Sequence, residues 1–264
     1  LERGVPESRP IVGGSTVGVS QFRVAIEAAD RTLFRRLSNV TTPVVSLSTD
    51  QQNALDRLRE RLASGYYEFE GALCVCGQRN GSLIARRDRY ALPVDTYLCR
   101  SCGVMWTDPR MTESSLSRFY QEDYRPVYVG REQAGDDFFT AQVQQGRLVY
   151  DFVVPCIESV QHATVVDVGC GAGGALVPFV EAGWTGVGCD VGGEYLQYGR
   201  AAGLVLQHGS VCALAEYGHA NLAIVSHVLE HLPDPLLSLK QIAQLLVDEG
   251  LVYIELPGIF SIHK

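Results

Sequence analysis

The sequence predicts an α/β protein built on a doubly wound sheet, and three observations predict it. Thr164 to Val168 is an apolar, β-branched run of the kind buried on both faces of a parallel sheet. The run breaks at Gly169-Cys170-Gly171-Ala172-Gly173-Gly174, after which Ala175, Leu176, Phe179 and Val180 recur at helical spacing. A second short strand, Thr185 to Cys189, ends in Asp190. The product is a β–loop–α–β unit of Rossmann-like type with a glycine-rich first turn. Glycines without Cβ let a ligand lie against the backbone, and free N–H groups at the helix start face it. Asp190 sits where a carboxylate can accept both hydroxyls of a ribose, about 20 residues beyond the turn.

Length and composition bound the rest. A chain of 264 residues holds one large domain, or a core domain plus a smaller module. With 46% hydrophobic and 20% charged residues it has the balance of a soluble globular protein. No apolar run is long enough to span a bilayer and no charged–apolar–small leader is present, so a cytoplasmic protein without a membrane partner is expected. Leu1 in place of Met suggests a processed start.

The net charge of −8 is unevenly placed. Residues 151–264 hold only three basic side chains against twelve acidic ones, while the preceding residues are close to balanced. An acidic nucleotide-type domain is a poor partner for a nucleic-acid backbone, so nucleic acid is excluded as the expected partner. Cys74, Cys76, Cys99 and Cys102 cluster, whereas Cys156, Cys170, Cys189 and Cys212 are scattered over apolar segments. Such usage suits a reducing compartment rather than a disulfide scaffold.

Taken in order, the chain opens on residues 1–70, a partly helical extension. Gly13-Gly14-Ser15 suggests a turn, Phe22 to Leu37 a helix and Thr41 to Leu47 a short strand. Thr49 to Ala63 is a clearer helix, with a stripe of Leu55, Leu58 and Leu62 and with Gly65 placed to end it. Residues 71–130 follow as a zinc-ribbon-like module. Cys99-Arg100-Ser101-Cys102-Gly103 is a C-x-x-C-G knuckle, and Cys74-Val75-Cys76-Gly77 is a tighter pair with a single intervening residue. Four thiolates suit tetrahedral zinc, so these four cysteines are the expected ligands. A redox pair or free thiols is the alternative. Thr112 can cap a short helix that puts Leu116, Phe119 and Tyr120 on one side.

Residues 131–264 form the nucleotide-type domain. Asp136 to Ile157 is a long amphipathic stretch. Gly193 to Ala202 reads as a helix, Leu204 to Gln207 as a third strand and Leu222 to Ser226 as a fourth. Pro233 to Val247 is a helix and Leu251 to Leu256 a fifth strand. Gly169, Gly171 and Gly174 also satisfy the dinucleotide fingerprint, so the glycines alone leave NAD open. Asp167 adds an acid at the end of the first strand, suited to a cationic amino-acid moiety.

With VVDVGCGAGG, and with His227-Val228-Leu229-Glu230-His231-Leu232-Pro233-Asp234-Pro235 after the fourth strand, the chain resembles the class I S-adenosylmethionine-dependent methyltransferases. Cys74 to Tyr124 resembles the amino-terminal zinc-ribbon region of a methyltransferase group acting on glycans, sugars and secondary metabolites, with Asp108-Pro109-Arg110 in place of Asn-Pro-Arg. The resemblance implies S-adenosylmethionine as cofactor, structural zinc, and a small-molecule or glycan acceptor. It carries donor contact onto Asp167, Gly169, Cys170, Gly171, Gly173, Asp190, Val191, Ser210, Val211 and His227. Ser210 stands where an aspartate is usual, so adenine contact there rests on backbone or hydroxyl. His231, with Glu230, is the expected general base, since imidazole titrates near neutral pH. The rival reading is a non-catalytic or NAD-binding protein of the same fold. Class I methyltransferases carry a seven-stranded sheet, and only five strands are counted here. A fragment, or a domain whose fifth strand is a sheet edge open to self-association, is therefore expected.

Overall fold

The computed structural model describes residues 41–130, 134–157 and 162–257. The turn expected at Gly13-Gly14-Ser15 and the helix expected over Phe22 to Leu37 lie outside them. Thr41 to Leu47, expected as a strand, is irregular. Pro43 removes a ladder donor in its middle, and the segment docks through a single bond of this kind, Val44 N–H to Arg89 O at 2.9 Å.

Helix α1 (Thr49–Ala63) begins at Ser48, whose hydroxyl accepts from Gln51 N–H while the Gln51 side chain accepts from Ser48 N–H. It ends at Ser64, followed by Gly65 with φ +75°. Its buried Leu55 and Leu58 share a core with Tyr67, Leu92 and Val127, so the helix packs directly on the cysteine-bearing segment.

That segment contains β1 (Phe69–Glu70), then an antiparallel sheet of β2 (Gly81–Arg87), β3 (Pro93–Cys99) and β4 (Met105–Thr107). β5 (Arg110–Met111) pairs back with β1. Helix α2 (Glu113–Glu122) is capped by the Thr112 hydroxyl, as its sequence predicts, and is followed by α3 (Tyr124–Tyr128). The long amphipathic stretch forms α4 (Asp136–Val153), closed by a 3₁₀ turn over Val154–Cys156.

The parallel sheet starts at β6 (Thr164–Val168). The helix expected next is short: a 3₁₀ turn over Gly174–Leu176 leads into α5 (Val177–Glu181), with Pro178 in its first turn. Leu176 and Phe179 face the core, but Val180 is 43% exposed. Then come β7 (Thr185–Asp190), α6 (Gly193–Ala201), β8 (Val205–His208), β9 (Ala220–Ser226), α7 (Pro235–Leu245) and β10 (Leu246–Glu255). The fold is the expected Rossmann-like α/β, a parallel sheet in the order β10-β9-β6-β7-β8.

Alternate residues of β6 feed opposite faces. Val165 packs with Leu176, Phe179 and Leu196, while Val166 and Val168 pack with Ile242 and Leu245. Both faces therefore bury valines, which explains a β-branched run interrupted only by Asp167. β10 starts five residues earlier than the sequence suggests, with a register irregularity between Leu246 and Leu251. It forms an edge of the sheet among the described residues, with Val252 and Ile254 partly exposed. No helix among the described residues is long and apolar enough to cross a membrane.

Candidate functional site

The carboxyl ends of β6, β7 and β9 open into a cavity of about 1400 Å³. It lies where the strand order reverses around β6, the position at which open α/β sheets hold ligands. Asp167, Gly169, Cys170, Gly171, Asp190, Val191, Ser210, Val211, His227, Glu230 and His231 all line it. Gly173 does not; it turns towards β8, and a Cβ there would lie 2.8 Å from Leu206 Cδ2.

The glycine turn is held differently from the simple sequence reading. Free N–H groups were expected at its helix start, yet its donors are engaged within the protein. Gly169 and Cys170 donate to Cys189 O at 2.8 and 2.9 Å, and Gly173 donates to Cys170 O at 2.8 Å. Gly171 N–H donates to Asp190 Oδ2 at 2.8 Å. Ala172 and Gly174 donate to Gln142 Oε1 at 3.2 and 3.4 Å, and Gln142 Nε2 donates back to Cys170 O at 2.9 Å. Glycine is required here by close packing: a Cβ on Gly169 would lie 2.4 Å from Val228, and one on Gly174 2.7 Å from Phe139 O. Gln142 on α4 thus acts as a clasp that nothing in the motif announces.

Two carboxylates face the turn. Asp167 is buried and accepts no side-chain hydrogen bond among the described residues. Burial, reinforced by the charge of Asp190, pushes its carboxyl up to about 8. Asp190 also accepts from Gly192 N–H at 2.7 Å, and Arg125 Nη2 approaches its Oδ2 to 3.6 Å. The Arg125 guanidinium lies 4.1 Å from the Tyr195 ring centroid.

The segment after β9 supplies the next group. His227 adopts φ +53°, a left-handed conformation that costs a non-glycine residue about 1 kcal/mol or more. Its N–H donates to Glu255 O at 2.9 Å, and its ring lies 3.8 Å from Glu230 and 3.7 Å from Glu255. Glu255, at the end of β10, also accepts from Ser226 Oγ at 2.7 Å and Gln145 Nε2 at 3.0 Å. His231 lies 3.8 Å from Glu230, with the rings of Tyr120 and Tyr124 each 5.9 Å from its own. Burial pulls the His231 imidazole below its ordinary value, against the opposing pull of Glu230. Burial pushes the Tyr124 phenol up to about 12 and raises that of Tyr120 as well.

The amino-terminal segment therefore roofs the cavity. Arg110, of the Asp-Pro-Arg step, donates to Pro233 O at 2.6 Å and ties the ribbon to the segment after β9. Asp123, buried at the α2–α3 junction, accepts from Arg61 at 2.7 Å and from the Tyr67 hydroxyl. This anchors the start of α3, and with it Tyr124 and Arg125. Arg125, Gln142 and Glu255 were missed by sequence reasoning, because no local spacing marks residues that act from a distant element.

The four clustered cysteines converge. Their sulfurs all lie within 4.8 Å of one another, with Cys74–Cys102 at 3.4 Å and Cys76–Cys99 at 3.6 Å. A tetrahedral zinc with bonds of about 2.3 Å needs sulfurs about 3.8 Å apart, so the donor set fits. Gly77 and Gly103 take φ +80° and +78°, turning each knuckle. Burial pushes the Cys74 thiol up to about 12. At Cys99 burial also raises the thiol, but the N–H groups of Cys102 and Ser101 together with the Cys76 and Cys102 sulfurs bring it down to about 6.

Residues 140–262 match a family described as a methyltransferase domain. This half of the chain is methyltransferase-like. No curated protein matches the chain. Among solved structures, an S-adenosylmethionine-dependent methyltransferase from Archaeoglobus fulgidus is 19% identical, over 45% of this chain and 55% of its own, with a TM-score of 0.39. The magnesium protoporphyrin IX methyltransferase of Synechocystis PCC 6803 is 17% identical, over 50% and 72%, with a TM-score of 0.38. A glycopeptide N-methyltransferase complexed with S-adenosyl-L-methionine is 17% identical, over 43% and 53%, at 0.36. The chain spans about half the length of the first of these. The methyltransferase-like domain holds the glycine turn, both carboxylates and the segment after β9; α2 and α3 lie outside the matched residues.

Proposed function

We propose that the protein transfers a methyl group from S-adenosylmethionine to a small-molecule acceptor, such as a sugar, glycan precursor or secondary metabolite. The observation that carries this reading is the buried Asp167 carboxyl without a hydrogen-bond donor, set beside a turn whose N–H groups are already engaged. A pyrophosphate needs free N–H donors and no facing carboxylate, so the arrangement disfavours NAD. A cationic amino group gives Asp167 the partner it lacks. S-adenosylmethionine supplies that amino group, a ribose for Asp190 and an already activated methyl carbon.

The chain's own residues then have defined tasks. Asp167 would hold the donor's amino group and Asp190 its ribose, while Ser210 and Val211 border the cavity beyond β8. His231, its imidazole biased towards the neutral form by burial, takes a proton from the acceptor, with Glu230 orienting it. The tyrosines of α2 and α3 exclude water from the same region. The cysteine cluster is proposed to hold one structural zinc that fastens the ribbon.

Calorimetry tests the donor. S-adenosylhomocysteine should bind well and NAD weakly, and Asp190→Ala should weaken the former by tenfold or more, about the loss of one charge-assisted hydrogen bond. Equal binding by variant and parent, or a preference for NAD, overturns the reading.

A further inference from the structure

The cavity continues past the tyrosines of α2 and α3 to a guanidinium that forms no ion pair among the described residues. Arg89 lies over two rings, 4.6 Å from the centroid of Tyr128 and 5.1 Å from that of Tyr90. Two aromatic neighbours place a guanidinium without neutralising it. Among the described residues no carboxylate oxygen lies within 4 Å of it. Its neighbour Asp88 turns Oδ1 to the N–H groups of Tyr90 and Leu92, both at 2.9 Å, and reaches Arg89 only as a more distant charge. Tyr128 stacks on Tyr124 at 5.1 Å with ring planes 20° apart, and Tyr124 meets Tyr120 at 4.8 Å. The last two flank His231. Arg89, Tyr90, Tyr120, Tyr124, Tyr128 and His231 all line the one cavity.

The cavity is thus lined by charges of both signs. Asp167 and Asp190, the latter beside Arg125, line it near the glycine turn, while Arg89 lines it beside the tyrosines of α2 and α3. We propose that these tyrosines wall the acceptor site and that Arg89 receives an anionic group, carboxylate or phosphate, carried by an acceptor with a flat apolar ring face. The guanidinium attracts that group, so the acceptor enters with its anionic group on Arg89 and its neutral end free to reach His231. The apolar wall that the tyrosines form complements the body of such a molecule. The proposal rests on the methyltransferase reading for the name of the site, but the anion contact can be measured without methyl transfer.

The test is calorimetry on the full chain, alone and saturated with S-adenosylhomocysteine, using 4-nitrophenyl phosphate, 4-nitrobenzoate and the neutral 4-nitrophenyl β-glucoside as probes. At least one anionic probe should bind tenfold or more tighter than the neutral one. Arg89→Gln should bring all three within about twofold, Arg89→Lys should restore part of the preference, and S-adenosylhomocysteine should bind all chains alike. Which anion binds better distinguishes a phosphorylated acceptor from a carboxylic acid. An unchanged preference in Arg89→Gln, no preference in the parent, or a joint loss of probe and S-adenosylhomocysteine binding in that variant overturns the assignment. Should the parent ignore S-adenosylhomocysteine yet show an Arg89-dependent preference, the donor reading fails and the anion site stands.

Discussion

Arg125, on the short helix α3, reaches across to within 3.6 Å of Asp190 at the end of β7. The contact joins the amino-terminal segment to the carboxylate proposed to hold the donor ribose. It also sets a positive charge beside a site proposed to receive a cationic donor.

Arg125→Ala should therefore change the preference between donor and product. S-adenosylmethionine carries one more positive charge than S-adenosylhomocysteine, so removing Arg125 should favour the former by about three- to tenfold, a charge effect across roughly 10 Å at intermediate dielectric. The ratio of the two dissociation constants isolates that effect from any loss of Asp190 orientation. An unchanged ratio would mean that Arg125 only packs.

Asp167 gives a pH dependence. Its carboxyl rises from 3.8 to about 8 on folding, so the folded chain keeps a proton that the unfolded chain releases between those values. Stability from this group is greatest at the acid end of that window and falls as pH rises towards 8. Asp167→Asn, which cannot ionise, should gain on the parent by several degrees in Tm between about pH 6 and pH 8, at about 2–4 °C per kcal/mol. The same variant should bind S-adenosylmethionine poorly. Parallel melting curves for the two chains over that range would sink the assignment.

The ribbon gives a metal dependence. One equivalent of zinc per chain is expected in protein purified without added metal, with Cys74, Cys76, Cys99 and Cys102 protected from thiol reagents. Chelation should loosen the ribbon first, because a closed thiolate site contributes folding free energy directly. The α3 roof should follow, since Arg110 ties the ribbon to Pro233. Less than half an equivalent of zinc, with all four thiols titrating freely, would favour the redox alternative.

Much of this protein is legible in the linear chain because the signals are local. The run from Thr164 to Val168 announces a strand buried on both faces, since both of its faces carry valines. The glycine string and Asp190 announce the unit that follows, because tight turns and strand ends are set by residues only a few positions apart. Thr112 and Gly65 mark helix ends for the same reason.

What the tertiary structure alone decides lies in contacts between distant elements. Gln142 clasps the glycine turn from α4, and Glu255 meets His227 from β10. Arg125 and the tyrosines of α2 and α3 cover the cavity from outside the matched methyltransferase segment. A glutamine, a glutamate and an arginine have no periodicity that separates a site residue from a solvated one. Their roles follow from where the packing of α1, the ribbon and the parallel sheet sets them down. The glycines carry the same lesson, for their spacing is visible in sequence, whereas the neighbours that forbid a Cβ, Val228 and Phe139 O, are brought there only by folding.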